Sequence, residues 1–220
     1  MKTDTARAAI LAQIRARQGR PEGLHAVETQ DAQVDIDRHV RGPQPALGAD
    51  LVAVFTKQAL SLQTTVARVA SVQDVPQAVA AYLREQELGA QGVAWETLAD
   101  LPWADAGLAL EYLPPRDADK LGLTGCFCAV AETGSLVLAS SPTTPASTHL
   151  LPETHIAIVP ASRIVPALED AYALLRAELG ELPRALSTVS GPSRTGDIEQ
   201  TIVLGAHGPY RVHVVIVDAA

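Results

Sequence analysis

Three short polar runs, each containing or bordered by glycine, hold the side chains of this 220-residue chain that are best suited to chemistry. The turn AETGS contains Glu132, a potential nucleophile or acid-base group. The run SGPSRTGDIE contains Arg194, whose guanidinium can clamp a carboxylate or a phosphate. The run GAHGP contains His207, which can exchange a proton near neutral pH. Because glycine allows close approach of a ligand or of backbone, the three runs are candidate parts of a binding site.

The residues around Arg194 are predicted to begin a helix that follows a strand at 186–190. Ser193 or Thr195 would cap this helix, and the free N–H groups of its first turn would form a cradle for an anion. Parallel α/β sheets bind ligands beyond the carboxyl ends of their strands, so this position favours a site. A capped turn in which Arg194 pairs with an acidic neighbour is the alternative.

The turn around Glu132 fits two interpretations. In the structural one, Gly134 adopts a positive φ, and the hydroxyls of Thr133 and Ser135 bond to neighbouring amides. In the functional one, Glu132 accepts an acyl group or acts as an acid-base partner of His207. The local sequence does not decide between them, and His207 can itself be purely structural.

The cysteines and the other histidines give weaker indications of chemistry. Cys126 and Cys128 are the two cysteines of the chain, and they are predicted to be buried thiols in a reducing compartment. A four-cysteine cluster cannot form from this chain alone. His149 and His155 could share a metal ion only if the loop between them folds back, so no metal site is predicted.

Composition and charge exclude several classes of partner. The formal net charge is −8 and the sequence pI is about 5.2, which disfavours nucleic acids and anionic membranes. The N-terminus has charges within its apolar stretch, unlike a signal peptide, and no segment is long and apolar enough to span a bilayer. We expect a cytoplasmic protein. The motifs of P-loop NTPases, serine hydrolases and classical dinucleotide dehydrogenases are absent from the sequence.

Hydrophobic periodicity predicts an N-terminal helix and connector at 1–45, followed by one α/β domain at 46–220. The helix covers 3–18, and the segment 19–45, broken by Gly and Pro, is predicted to be irregular. Strands and helices then alternate, which predicts a mostly parallel sheet covered on both faces. The predicted strands are 64–70, 92–95, 126–131, 135–140, 155–160, 186–190 and 212–218, and the predicted helices are 75–88 and 164–179.

Four motifs in a fixed order resemble the signature series of the LUD (lactate utilization) domain family, and specifically of its LutC/YkgG group. They are AETGSLVLAS, LLPETHIAIV, SGPSRTGDIE and VLGAHGP, and the resemblance covers about residues 120–218. It implies a three-layer α/β/α fold of the NagB/RpiA/CoA-transferase-like class. That expectation agrees with the alternation of strands and helices.

The resemblance also implies an accessory subunit of a bacterial system that oxidises L-lactate to pyruvate. Its partners would be LutA-like and LutB-like subunits that carry iron-sulfur clusters, while this chain alone would bind no cofactor and no metal. We predict a pocket for a small carboxylate or phosphate, with Glu132 and His207 as catalytic residues. The predicted substrate-binding residues are Thr133, Gly134, Ser135, Ser193, Arg194 and Thr195.

Two other functions are compatible with the same residues. By analogy of fold, the E-T-G turn is similar to the E-N-G turn of some CoA-transferases, so Glu132 could be the nucleophile of an independent acyl or CoA transferase. Alternatively, the chain is a protein-interaction module without small-molecule chemistry, which docks through helix 3–18 and the connector.

Overall fold

A computed structural model describes residues 2–19, 24–198 and 201–219. The chain divides into two compact units, residues 1–44 and 45–220. The first unit contains helix α1 (Lys2–Arg17) and helix α2 (Leu24–Arg38). The second contains all the strands and the helices α3 (Leu51–Ser61), α4 (Val75–Glu85), α5 (Ser147–Leu150) and α6 (Leu168–Leu179).

The prediction of an irregular connector at 19–45 is wrong where α2 forms. The Gly and Pro residues that suggested a connector lie outside this helix, before Leu24 and after Arg38. Inside it there is no Gly or Pro, its Ala and Gln residues favour a helix, and Gln33 donates to Asp37 one turn later at 2.8 Å.

The second unit is organised around a sheet of six strands in which every neighbouring pair is parallel. In chain order the strands of the unit are β1 (Thr65–Ser71), β2 (Gln91–Ala94), β3 (Ala109–Glu111), β4 (Leu121–Thr124), β5 (Cys128–Val130), β6 (Ser135–Ala139), β7 (Thr154–Pro160), β8 (Ile164–Val165), β9 (Leu186–Val189), β10 (Arg194–Ile198), β11 (Thr201–Leu204) and β12 (Arg211–Ala219). The spatial order in the parallel sheet is β1-β12-β7-β4-β2-β3. The predicted fold class, α/β with a mostly parallel central sheet, is therefore confirmed.

A second sheet, in the order β8-β5-β6-β9, covers one face of the parallel sheet. Its strands β5 and β6, which lie within the predicted strands 126–131 and 135–140, form an antiparallel hairpin. Strand β9 pairs antiparallel with β6, so it does not belong to the parallel sheet.

The core lies on both faces of the parallel sheet, as the alternation of side chains in its central strands shows. In β12, Val215 and Val217 pack with α4 on one face, whereas Val214 and Ile216 pack with α3 and the second sheet on the other. The outer face of the second sheet is covered in turn by α6. A strand that is buried on both faces is largely apolar, which explains the apolar runs at 156–159 in β7 and 214–217 in β12, each preceded by a buried histidine, His155 or His213.

Helix α6 begins later than predicted. Ile164 and Val165 form the short strand β8, parallel to β5, and the helix starts at Leu168. The residue before a proline is disfavoured in the helical region, so Pro166 holds Val165 in an extended conformation. The helix start is capped by the carboxylate of Asp170, which accepts from the N–H of Ala167 at 3.1 Å.

The prediction of a helix after SGPSRTG is also wrong. Strands β10 and β11 form an antiparallel hairpin there, in which Thr195 is paired with Val203. The segment is rich in β-branched residues, which favour strands over helices. Ser193 and Thr195 therefore cap no helix, and the segment supplies no helix N-terminus for an anion.

Candidate functional site

The three polar runs singled out in the sequence lie in one continuous cluster of contacts. At the hairpin turn, Ser135 Oγ is 2.6 Å from Ser190 Oγ, which joins the AETGS turn to the start of SGPSRTG. The N–H of Ser193 donates to the carbonyl of Pro209 at 2.9 Å, and the N–H of Gly205 donates to the carbonyl of Ser193 at 2.9 Å. These bonds join SGPSRTG to GAHGP.

The C-terminal end of α3 supports this cluster. A Cβ added at Gly134 would lie 2.6 Å from the backbone nitrogen of Ala59, and one added at Gly191 would lie 2.5 Å from the carbonyl oxygen of Leu62. The guanidinium of Arg194 donates to the same Leu62 carbonyl at 3.4 Å. Only glycine permits these two close approaches, since any larger residue would displace α3.

The cluster lies at the amino-terminal edge of the parallel sheet. Leu62 immediately precedes the segment that enters β1 at Thr65, and Pro209 lies just before β12 begins at Arg211. The prediction placed the SGPSRTG run at the carboxyl edge of such a sheet, and this placement is wrong. The run lies at the other edge because β9, the strand before it, pairs antiparallel with β6 in the second sheet.

Glu132 is the most unusual polar residue of the cluster. Its backbone N–H donates to the carbonyl of Pro166 at 3.0 Å, which fixes the turn against the start of α6. Its side chain is half-buried, and Oε2 is buried without a hydrogen-bond partner among the described residues. Burying a carboxylate oxygen without a partner is costly, so a proton or a donor from a ligand would stabilise this oxygen.

The rest of the turn agrees with the structural interpretation in its backbone, since Gly134 has a φ of +64°. The hydroxyls differ from that prediction: Ser135 donates to Thr133 Oγ1 at 2.8 Å, a bond between two hydroxyls in place of bonds to neighbouring amides. Thr133 is exposed, whereas Gly134 and Ser135 are buried. Thr133 is thus the most accessible hydroxyl of this turn.

Arg194 and His207 contribute exposed groups to the cluster. The guanidinium of Arg194 makes no ion pair among the described side chains, and its acidic neighbours Asp197 and Glu199 lie outside those described side chains. His207 is exposed on the loop after β11. The adjacent Gly208 approaches Ser193, where an added Cβ would lie 3.3 Å from Ser193 Cβ.

The two cysteines and the histidines at 149 and 155 do not belong to the contacts that link the three polar runs. His149 and His155 are buried with ring centroids 5.8 Å apart, yet no group of three or more His, Cys, Asp or Glu among the described residues could hold a metal ion. Both cysteines are free thiols. Burial raises the pKa of Cys126 to about 12 and that of Cys128 to about 11, so both are protonated at neutral pH.

Sequence reasoning missed helix α3 and therefore the support of the cluster. The signal was present, because Asp50 precedes an apolar segment and its carboxylate caps α3 by accepting from the N–H of Ala53 at 3.0 Å. Phe55 and Ala59, one helical turn apart, are buried on the face that packs on the sheet.

Taken together, the parallel sheet, the covering second sheet and the glycine-supported polar cluster define an α/β domain with a candidate site for a small polar ligand. Residues 117–217 match the sequence model of the LUD domain. This match confirms the resemblance to the LUD domain family that the four motifs predicted, and the chain is similar to proteins of the lactate utilization protein C group.

Curated relatives share part of the chain. It is 34% identical over 142 residues to lactate utilization protein C of Bacillus licheniformis, which covers 61% of this chain and 59% of the relative. It is 44% identical over 104 residues to lactate utilization protein C 1 of Bacillus mycoides, covering 46% of this chain and 44% of the relative. For lactate utilization protein C of Bacillus subtilis the identity is 35% over 117 residues, covering 52% and 49%. The matches thus span about half the length of these relatives.

A solved structure has the same fold. The crystal structure of a DUF162 family protein from Deinococcus radiodurans superposes with a TM-score of 0.59 and 24% sequence identity, covering 79% of this chain and 99% of the other. Within the described residues, none of the helices combines the length and the apolar character needed to cross a membrane.

Proposed function

We propose that this chain is a LutC-like accessory subunit of a bacterial system that oxidises L-lactate to pyruvate, and that it binds a small anion at the cluster around Glu132 and Arg194. The observation that carries the proposal is the series of contacts that links the three polar runs, two of which pack on the end of α3. The names of the curated relatives support a role in lactate utilization.

In this proposal each group of the cluster has a distinct role. Arg194 holds the carboxylate or phosphate of the ligand, because a guanidinium offers paired donors to such groups. The buried Oε2 of Glu132 accepts a hydrogen bond from a ligand hydroxyl, such as that of a 2-hydroxy acid. Thr133 and Ser193 add hydrogen bonds, and His207 exchanges a proton with solvent.

In the proposed system the partner subunits carry out electron transfer. LutA-like and LutB-like partners would carry the iron-sulfur clusters, because this chain has two cysteines and both thiols are protonated at neutral pH. Two free thiols suit a reducing compartment, which supports a location in the cytoplasm.

Reconstitution tests this proposal. LutA-like and LutB-like subunits from the same bacterium are assayed for L-lactate-dependent reduction of an artificial electron acceptor, with and without this chain. We expect the chain to increase the rate, Arg194→Gln to lose that increase, and Arg84→Gln, a change at an exposed position on α4, to retain it. An equal rate with and without the chain would contradict the proposal.

The unpartnered Oε2 of Glu132 favours one second candidate, an acyl or CoA transferase. The Glu132 carboxylate would attack the carbonyl of an acyl-CoA, break its C–S bond and form a mixed anhydride, with release of the CoA thiolate. The thiolate would then attack the Glu132 carbonyl, giving a glutamyl-CoA thioester and the free acid.

Intact mass spectrometry distinguishes this second candidate. Incubation with acetyl-CoA, propionyl-CoA and lactoyl-CoA should give a covalent CoA adduct, and borohydride should then release the CoA thiol and convert the Glu132 side chain to the corresponding alcohol, which marks the site. Glu132→Gln should give none, and Glu96→Gln, a change at an exposed glutamate, should react as the unmodified chain does. No adduct with any of the three thioesters would exclude the transferase.

A further inference from the structure

A second candidate site lies at the carboxyl edge of the parallel sheet, away from the Glu132 cluster. Strands β2 and β4 are neighbours there, but the chain leaves β2 towards β3 on one side, and from β4 the next strand of this sheet is β7, on the other side. Divergent connections of this kind leave a crevice between the carboxyl ends of the two strands. Open α/β sheets characteristically bind ligands at such a topological switch point.

A cavity of about 400 Å³ occupies this crevice. Trp95, which directly follows β2, and the segment 125–127, which directly follows β4, line its inner wall. The indole N–H of Trp95 donates to the carbonyl of Pro145 at 3.1 Å, so the position of the ring is fixed. Leu179, at the end of α6, adds an apolar side chain to the wall.

A second cavity, of about 640 Å³, adjoins the first and shares Ser140 and Ser141 with it. Arg184 lines this second cavity. It is held beside Ser140 because the next residue, Ala185, donates its N–H to Ser140 Oγ at 2.8 Å and accepts from the N–H of Ser140 at 3.0 Å. Each of the two volumes lies in the range of small-molecule sites.

The two cavities differ in the charge and polarity of the residues that line them. Trp95, Phe127 and Leu179 make the first largely apolar, whereas Arg184 brings a guanidinium to the second and has no ion-pair partner among the described residues. Glu181 and Arg184 are both exposed, so water screens both charges, but Glu181 lies on the wall of the first cavity, whereas Arg184 lies on the wall of the second. This division suits a ligand with an apolar body and one anionic end.

We propose that these two neighbouring cavities bind an organic anion, with its apolar body against Trp95, Phe127 and Leu179 and its carboxylate or phosphate on Arg184. The site goes beyond the anion site proposed above, because it uses different residues and lies at the opposite end of the β5–β6 hairpin. Phe127 and Ser140 flank the open end of this hairpin, whereas Glu132 lies in its turn.

Fluorescence of Trp95 tests the site. The chain has two tryptophans, and Trp103→Phe leaves Trp95 as the only source of tryptophan fluorescence. This variant is titrated with three anionic probes, namely 4-phenylbutyrate, octanoate and phenyl phosphate, and with the uncharged 4-phenylbutanamide. We expect at least one anion to change the emission with saturation, and the amide to bind about tenfold more weakly than its acid or worse.

Two charge variants and one remote variant complete the experiment. Arg184→Gln should weaken binding of the anion about tenfold or more, and Glu181→Gln should leave it equal or tighter. Arg194→Gln should have no effect, so failure of this site and failure of the Glu132 cluster are distinguishable. The inference is overturned if no anion saturates below about 10 mM, if the amide binds as tightly as its acid, or if Arg184→Gln binds as the parent does.

Discussion

Replacement of Gly134 by alanine should lower the free energy of unfolding by about 3 to 4 kcal/mol, since two costs combine. At its φ of +64° an L-residue loses about 1 to 2 kcal/mol. The new Cβ would also lie 2.6 Å from the nitrogen of Ala59 and 2.7 Å from the carbonyl carbon of Gln58. Both are backbone atoms, so α3 must move, and overpacking of this kind costs about 1 to 3 kcal/mol.

Gly107→Ala is the matched control for this change. Gly107 has a φ of +80°, but an added Cβ would meet nothing within 4 Å. Its replacement should therefore cost only the backbone part, about 1 to 2 kcal/mol. Denaturant unfolding measures both variants. Equal losses at the two glycines would show that the turn does not pack closely on the end of α3.

Acidification should destabilise the second unit well before its carboxylates are protonated. Burial lowers the pKa of His149 to about 4, that of His155 to about 3 and that of His213 to about 4. Between the ordinary value near 6.5 and these lowered values the unfolded chain binds more protons than the folded one. Stability is therefore fully present above about pH 6.5 and falls below it, by up to about 1.4 kcal/mol per pH unit for each histidine.

Urea unfolding at about pH 7.5, 6.5, 5.5 and 5 measures this slope. His213→Gln should reduce this slope by up to about 1.4 kcal/mol per pH unit, because it removes one of the three buried histidines. The ring of His213 stacks on Tyr82 at 3.9 Å, and its Nδ1 lies 2.8 Å from the hydroxyl of Thr65, a contact that an amide side chain can replace. Stability that stays constant from pH 7.5 to 5 would contradict the burial of all three rings.

The parts of the fold that were predictable from sequence are those where local pattern and burial agree. The apolar runs at 155–160 and 212–218 correctly indicated strands buried on both faces. The E-T-G turn between two apolar runs correctly indicated the β5–β6 hairpin. In these segments the pattern that tertiary packing requires is also the locally preferred one.

Other parts depend on contacts between distant segments. The sequence of 186–190 does not show that this strand pairs with β6. Because of this pairing, the SGPSRTG run lies at the amino-terminal edge of the parallel sheet. The helix predicted after that run failed because the hairpin of β10 and β11 satisfies the same backbone groups. Helix α2 was missed because the glycines and prolines on both sides of it suggested that the whole segment 19–45 is irregular.

The two candidate sites differ in how visible they are in the sequence. The Glu132 cluster is built from glycine-bordered polar runs, which stand out even before their convergence is known. The cavity beside Trp95 combines ordinary residues from several distant segments, with Arg184 coming from the approach to β9. Only the divergence of the chain at β2 and β4 marks that location, and this divergence is a property of the strand order.

The central claim is that the cluster around Glu132 and Arg194 binds a small anion, and calorimetric titration with L-lactate, pyruvate and phosphate tests it most directly. We predict saturable binding of at least one of these anions, weakened about tenfold or more by Arg194→Gln and unchanged by Arg84→Gln. Binding that is equally strong in Arg194→Gln, or no binding of any of the three, would contradict the account.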